Sequence, residues 1–250
     1  MARRKRTLTE AIMKNRQSEG RGRGEGAAYK PWIYVHDVPS TGRSSRIFNG
    51  ERIMHTLSDW ETTAVRQFQW DPDVLDIWEQ YALPLAATQR IAREMKVRHP
   101  CDSKSRVDVP ITTDLYVTRR VKNTAVLLAR SIKEKAAVEY HASLTRPQRV
   151  KIGRTLQKLE IERRYWEENN ISWMLLTEDH LSKTIKSNLE FIQPVEPDRK
   201  RPRGYWKRAR QMVLEALATS GRTSIEEIAI RLAGEGALRR PDFTTCMRLL

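Results

Sequence analysis

The feature that most restricts how this chain folds is a change of hydrophobic period between residues 57 and 178. Trp60, Ala64, Val65 and Phe68 recur at helical spacing behind Ser58, which can cap a helix, with Glu61 at the reciprocal capping-box position. Short β-rich runs follow: VLDIWEQYAL from Val74, TTDLYVTR from Thr112, and the apolar run Ala125 to Ala129 that Lys133 closes. A long amphipathic stretch from about Arg149 to Asn169, opened by Arg146-Pro147, has Ile152, Leu156, Leu159, Tyr165 and Trp166 as its buried positions. The apolar ISWMLLTE then reads as a buried strand beside the one that ends at Lys133. The order helix, strand, strand, strand, helix, strand describes an α/β core with its active site at one end of the sheet.

Within that frame, adjoining strands can hold Asp114 and Lys133 side by side, and the preceding helix can bring in Glu61. Two carboxylates suit a hard divalent cation such as magnesium, which keeps positions open for water and a phosphate oxygen. A neighbouring lysine can stabilise phosphate charge or help deprotonate an attacking water. Phosphodiester hydrolysis is the chemistry such a set serves. Spacing alone leaves the plain alternative open: Glu61 caps its helix, Asp114 ends a strand and Lys133 is solvated. Glu162 has two readings as well, a second-metal carboxylate or a partner of Arg163 or Lys158, and the structural one is preferred.

The net charge of +15, from 46 Lys and Arg against 31 Asp and Glu, attracts polyanions and points to DNA or RNA. Arg21 and Arg23 alternate with glycine in GRGRGEG, and Arg43 and Arg46 lie among hydroxyls in STGRSSR; both compositions suit backbone phosphates, though a solvated linker explains the first equally well. GRGRGEG precedes no strand-to-helix pattern, which excludes a nucleotide loop. Cys101 and Cys246 are too far apart to indicate a disulfide framework or a cysteine zinc site. No apolar run approaches a membrane span and no signal-peptide core is visible, so the expected setting is soluble, reducing and cytoplasmic, without membrane contact.

Elsewhere, Thr7 and Glu10 form a capping-box pattern for a helix to about Arg16, PWIYVHDV reads as a short strand, and Ala87 to Val97 as a basic helix. EKAAVEYHASL after Lys133 is helix-like. The Pro-rich, charged stretch 193–204 is a linker. Beyond it, helices over Trp206 to Ala218, Ile225 to Ala233 (capped by Ser224 and Glu227) and from Phe243 onward resemble a helix-turn-helix or winged-helix module. The expected domains are therefore residues 1–178 and 179–250.

GRGRGEGAAYKPW, VPSTGRSSRIF, LSDWE, VLDIWEQY, TTDL, LEIERRYW and ISWMLLTE occur in one order over roughly residues 20 to 190. In that order they resemble TnsA, the endonuclease subunit of heteromeric TnsABC-type transposases. The resemblance implies a restriction-endonuclease-like core of the PD-(D/E)xK superfamily, with Glu61, Asp114 and Lys133 matching the family's catalytic residues and magnesium or manganese as the ion. It implies cutting of double-stranded DNA at the 5′ ends of a transposon, on the non-transferred strands. It also implies two partners, an integrase-like transposase subunit (TnsB) and an AAA-type ATPase regulator (TnsC) that binds the C-terminal module. One departure stands out: the residue two before the lysine, usually Gln, is Ser131, whose short hydroxyl is a doubtful metal ligand. A free-standing defence or repair nuclease and a non-catalytic DNA-binding scaffold are the alternatives.

Overall fold

The structure is a computed structural model that describes residues 7–37, 43–49, 51–191, 202, 204–221 and 223–249. The expected basic arm at 1–6 and almost all of the linker at 193–204 lie outside these residues. The chain divides into two compact units, Met1–Lys186 and Ser187–Leu250.

The first unit begins with α1 (Glu10–Ser18), capped by Thr9, whose side chain accepts from the Ile12 N–H; the expected cap was Thr7. A two-stranded hairpin follows, β1 (Ser45–Phe48) and β2 (Ile53–Thr56), then α2 (Asp59–Trp70), β3 (Val74–Ala82) and α3 (Leu85–Glu94). β4 (Thr112–Val121), β5 (Thr124–Ile132), α4 (Arg146–Glu168), β6 (Ser172–Leu176) and α5 (Lys183–Phe191) complete it, the last running across the division between the units. β3, β4, β5 and β6 form one sheet in that spatial order. The first three are antiparallel, and α4 is the crossover that lets β6 lie parallel to β5.

Each face of the sheet is covered. On one, Ile47, Met54, Ala64 and Val65 of the hairpin and α2 pack on Leu115, Val117 and Ile132. On the other, Ile91, Ala92, Ile161 and Trp166 of α3 and α4 pack on Tyr116 and Ala129. A mixed sheet between helical layers fits the restriction-endonuclease-like core that the resemblance implies.

Three expected elements differ. Residues 31–37, the described part of PWIYVHDV, form turns instead of a strand, because the Asp37 carboxylate takes the Tyr34 N–H and curls the segment back on itself. EKAAVEYHASL yields one tight helical turn, Lys135–Ala137, since the Lys135 N–H and ammonium are drawn to Glu178 and Asp179. β6 is an edge strand with Ser172 and Met174 exposed, whereas a buried strand was expected.

The second unit holds α6 (Tyr205–Thr219), α7 (Ile225–Gly234) and α8 (Arg240–Leu249) around Val213, Ile228, Leu232, Phe243 and Cys246. Ser224 and Glu227 form the expected reciprocal cap: the Glu227 N–H donates to Ser224 Oγ, and the Ser224 N–H to the Glu227 carboxylate. Its described residues include no strand that could serve as a wing. No helix among the described residues is long and apolar enough to cross a membrane.

Candidate active site

Ser58 adopts an extended backbone and caps α2, accepting from the Glu61 N–H at 3.1 Å. The Glu61 side chain turns back over the cap. Its Oε1 accepts from Ser58 Oγ at 3.0 Å and its Oε2 from the Leu57 N–H at 2.8 Å, one residue earlier than a standard capping box would use. Gln80 of β3 adds a third donor, Nε2 to Glu61 Oε2 at 3.1 Å. Glu61 is only 6% exposed.

Asp114 lies near the start of β4. Its Oδ2 accepts from the Ile132 N–H at 2.7 Å and from Lys133 Nζ at 2.8 Å. The β4–β5 register explains this pairing: Leu115 faces Arg130, so Lys133 emerges diagonally across from Asp114 at the sheet's end. Lys133 Nζ also donates to the Ile132 carbonyl, 2.8 Å away.

A third carboxylate closes the set from α4. Glu162, 3% exposed, accepts from Thr113 Oγ1 at 2.7 Å and from Ser131 Oγ at 2.6 Å. Trp166 Nε1 supports Thr113, and Trp173 Nε1 supports Ser131. Arg163, one of the partners expected for Glu162, instead pairs with Glu160 and Glu167. Ser131 Oγ, an uncertain metal ligand on sequence grounds, is thus committed to Glu162 and Trp173.

The electrostatics follow from this crowding. Burial, then Asp114, pushes Glu61 up to about 7, against the Leu57 and Ser58 donors and Lys133. Burial and Asp114 likewise push Glu162 up to about 7. Burial works to lower Lys133, but Asp114, Glu61 and Glu162 outweigh it and hold the ammonium above its ordinary value. Three carboxylates therefore share one lysine, which leaves the cluster short of positive charge. Among the described residues no three His, Cys, Asp or Glu side chains form a ready-made metal cage. Magnesium does not need one: two hard oxygen donors, with water and phosphate completing the sphere, are its usual protein share, and Glu61 and Asp114 fit that requirement.

The four arginines expected to touch phosphate separate into two groups. Arg21 is held inside the fold, 9% exposed, by ion pairs to Glu19 and Asp37, and its guanidinium lies 4.5 Å from the Tyr34 ring centre. The expectation of a solvated, phosphate-facing Arg21 is thereby corrected. Arg23, Arg43 and Arg46 are exposed. Arg46 faces His55 across the β1–β2 hairpin, and β2 leads through Thr56 directly into the Glu61 cap.

Sequence reasoning missed Gln80 and undervalued Glu162. A signal existed for the second: Leu159, Glu162 and Trp166 share one face of α4, which places a carboxylate in the buried stripe.

A family model described as TnsA-like endonuclease N terminal matches residues 71–178, a span that includes Asp114, Lys133 and Glu162 and begins after Glu61. The chain is 34% identical over 200 residues to the Escherichia coli protein named Transposon Tn7 transposition protein TnsA, an alignment covering 79% of this chain and 68% of that protein. With the mixed sheet and its acid–lysine cluster in place, this similarity shows that the chain belongs to the TnsA family of endonucleases.

Proposed function

We propose that the protein is the metal-dependent DNA endonuclease subunit of a heteromeric transposase, and that it hydrolyses phosphodiester bonds on the non-transferred strands at the 5′ ends of a transposon. The observation that carries this reading is the convergence of Glu61, Asp114 and Lys133 at one end of the sheet, in a cluster short of positive charge. Glu61 and Asp114 are the residues that would hold magnesium or manganese. The ion, when bound, stabilises charge that builds up on the phosphate. Lys133 keeps Asp114 in place through Nζ, spends a second N–H on the Ile132 carbonyl, and has its third for a phosphate oxygen or the attacking water. Glu162 restrains Thr113, next to Asp114, and Ser131, two residues before Lys133.

Arg23, Arg43 and Arg46 grip the DNA backbone in this reading, while the helical second unit docks on a regulatory ATPase of the TnsC type and a TnsB-type subunit processes the 3′ ends. The test is cleavage of labelled transposon-end DNA, with and without those partner subunits. Asp114→Ala and Lys133→Ala should each lower cutting by about 100-fold or more at unchanged DNA affinity. Asp114→Ala should also lose the thermal stabilisation conferred by added magnesium. Near wild-type cutting by clean Lys133→Ala overturns the assignment, and full activity on any DNA without partners favours a free-standing nuclease.

A further inference from the structure

Gln80 has a backbone that its place in the fold does not explain. It lies within β3 and is 2% exposed, yet its φ is +49°. The other non-glycine residues with positive φ among the described residues are Lys96, Arg106, Lys122 and Asn170, all exposed and all in turns or just past helix ends. A buried glutamine in left-handed conformation is disfavoured and persists only where its surroundings hold it.

The conformation has a visible effect. Trp78 and Tyr81 are three residues apart and pack on the same cluster, which strict strand alternation forbids. Gln80 lies between them, and its twist breaks the alternation. The Glu79 carboxylate meets Arg52, in the turn just before β2, and the Gln80 amide meets Glu61 of α2, so both side chains turn toward the hairpin and α2.

The amide then makes two contacts of opposite kind. Nε2 donates to Glu61 Oε2 at 3.1 Å, and Oε1 accepts from Thr112 Oγ1 at 3.3 Å, two residues before Asp114. The Gln80 carbonyl accepts from the Trp32 N–H at 3.2 Å, which anchors the backbone as well. An ionised carboxylate only accepts, so the amide has one productive orientation. One side chain thus links the helix carrying Glu61 to the strand carrying Asp114.

We propose that Gln80 is a positioning residue for the nuclease site: held in a left-handed backbone in mid-strand, its amide fixes the orientation in which Glu61 meets the divalent metal. This rests on Glu61 being part of that site, as proposed above. Removing a donor that orients a metal-ligating carboxylate typically weakens metal affinity or activity about 10- to 100-fold.

Gln80→Gly and Gln80→Asn are the informative variants, because both residues tolerate positive φ and neither can span from Glu61 to Thr112. Thermal unfolding of the full chain would be followed across a magnesium titration, alongside cleavage of transposon-end DNA at varied magnesium and varied DNA, with Glu61→Ala as control. The expected result is a metal-free stability below that of the wild type, from the lost hydrogen bonds and side-chain volume, with the fold retained, a magnesium midpoint raised about 10- to 100-fold in both readouts, and an unchanged KM for DNA. A wild-type magnesium midpoint in whichever of the two variants folds overturns the proposal. If Glu61→Ala removes the magnesium response while the Gln80 variants keep it, only the positioning role fails. If Glu61→Ala itself keeps the response, the site assignment fails and the positioning role with it.

Discussion

Replacing Arg52 with methionine should destabilise the first unit by several kcal/mol, with a deficit that grows as pH rises. Arg52 and Glu79 form a two-pronged ion pair, with Nη1 at 2.8 Å from Oε1 and Nη2 at 2.6 Å from Oε2, and the side chains are 7% and 1% exposed. Arg52 Nη2 also donates to the Ile77 carbonyl, and the guanidinium lies 4.9 Å from the Tyr29 ring centre. After Arg52→Met, the Glu79 carboxylate keeps only the His55 N–H, at 3.0 Å, among these donors. Breaking one side of a buried pair in this way costs about 3–5 kcal/mol. In a unit of this size that corresponds to roughly 6–20 °C in Tm. Burial holds Glu79 above its ordinary pKa even with Arg52 in place, and losing the arginine raises it further. A carboxyl with a raised folded pKa takes up a proton on folding. Because the wild-type Glu79 is itself raised, the deficit is smallest below its folded value and grows as pH climbs from there toward the variant's still higher one. Urea unfolding at pH 5 and pH 8 measures it. Arg52→Met/Glu79→Leu removes both charges and should recover all but about 1–2 kcal/mol, much of it from the unpaired His55 N–H. A single-variant loss below about 1 kcal/mol, or a deficit that is the same at both pH values, refutes the reasoning.

Two further outcomes test other parts of the molecule. Arg43→Ala with Arg46→Ala should reduce the salt slope of DNA binding by about two units and leave sequence preference unchanged, whereas Arg21→Ala should leave the slope alone and lower thermal stability, because that guanidinium is committed to Glu19 and Asp37. Gly24→Ala should be the more damaging of two glycine substitutions: at φ +95° its Cβ would collide with the Ala28 carbonyl oxygen, while at Gly20, φ +75°, nothing lies within 4 Å. Chemical denaturation should separate the pair by about 2 kcal/mol or more, and equal losses would contradict the steric argument.

Much of the core was legible because local and tertiary preferences agree there. The Ser58 cap, the β4 and β5 strands and the α4 stripe each follow from short-range pattern, and that pattern carries Glu61, Asp114 and Lys133 to one place. Partners distant in sequence were not legible. Nothing local shows that Asp37 will capture Arg21, or that Lys135 will be drawn to Asp179 and end a helix that its own residues favour. Gln80 was invisible for a different reason. Pattern reading assumes strict alternation along a strand, and a left-handed residue is where that assumption fails.

The β4–β5 hairpin carries a consequence for which changes in chain length the protein tolerates. Val121 pairs with Thr124, so Lys122 and Asn123 alone make the turn, with Lys122 at φ +55°. Such exposed tips are ordinarily where insertions and deletions accumulate without harm. Here the turn sets the count that places Lys133 diagonally from Asp114 at the opposite end of both strands. One residue added or removed at the tip would slip the register, turning the lysine side chain to the other face of the sheet while the turn itself stayed solvated. The indel-intolerant part of the proposed nuclease site thus extends to a surface loop a full strand length away from Asp114.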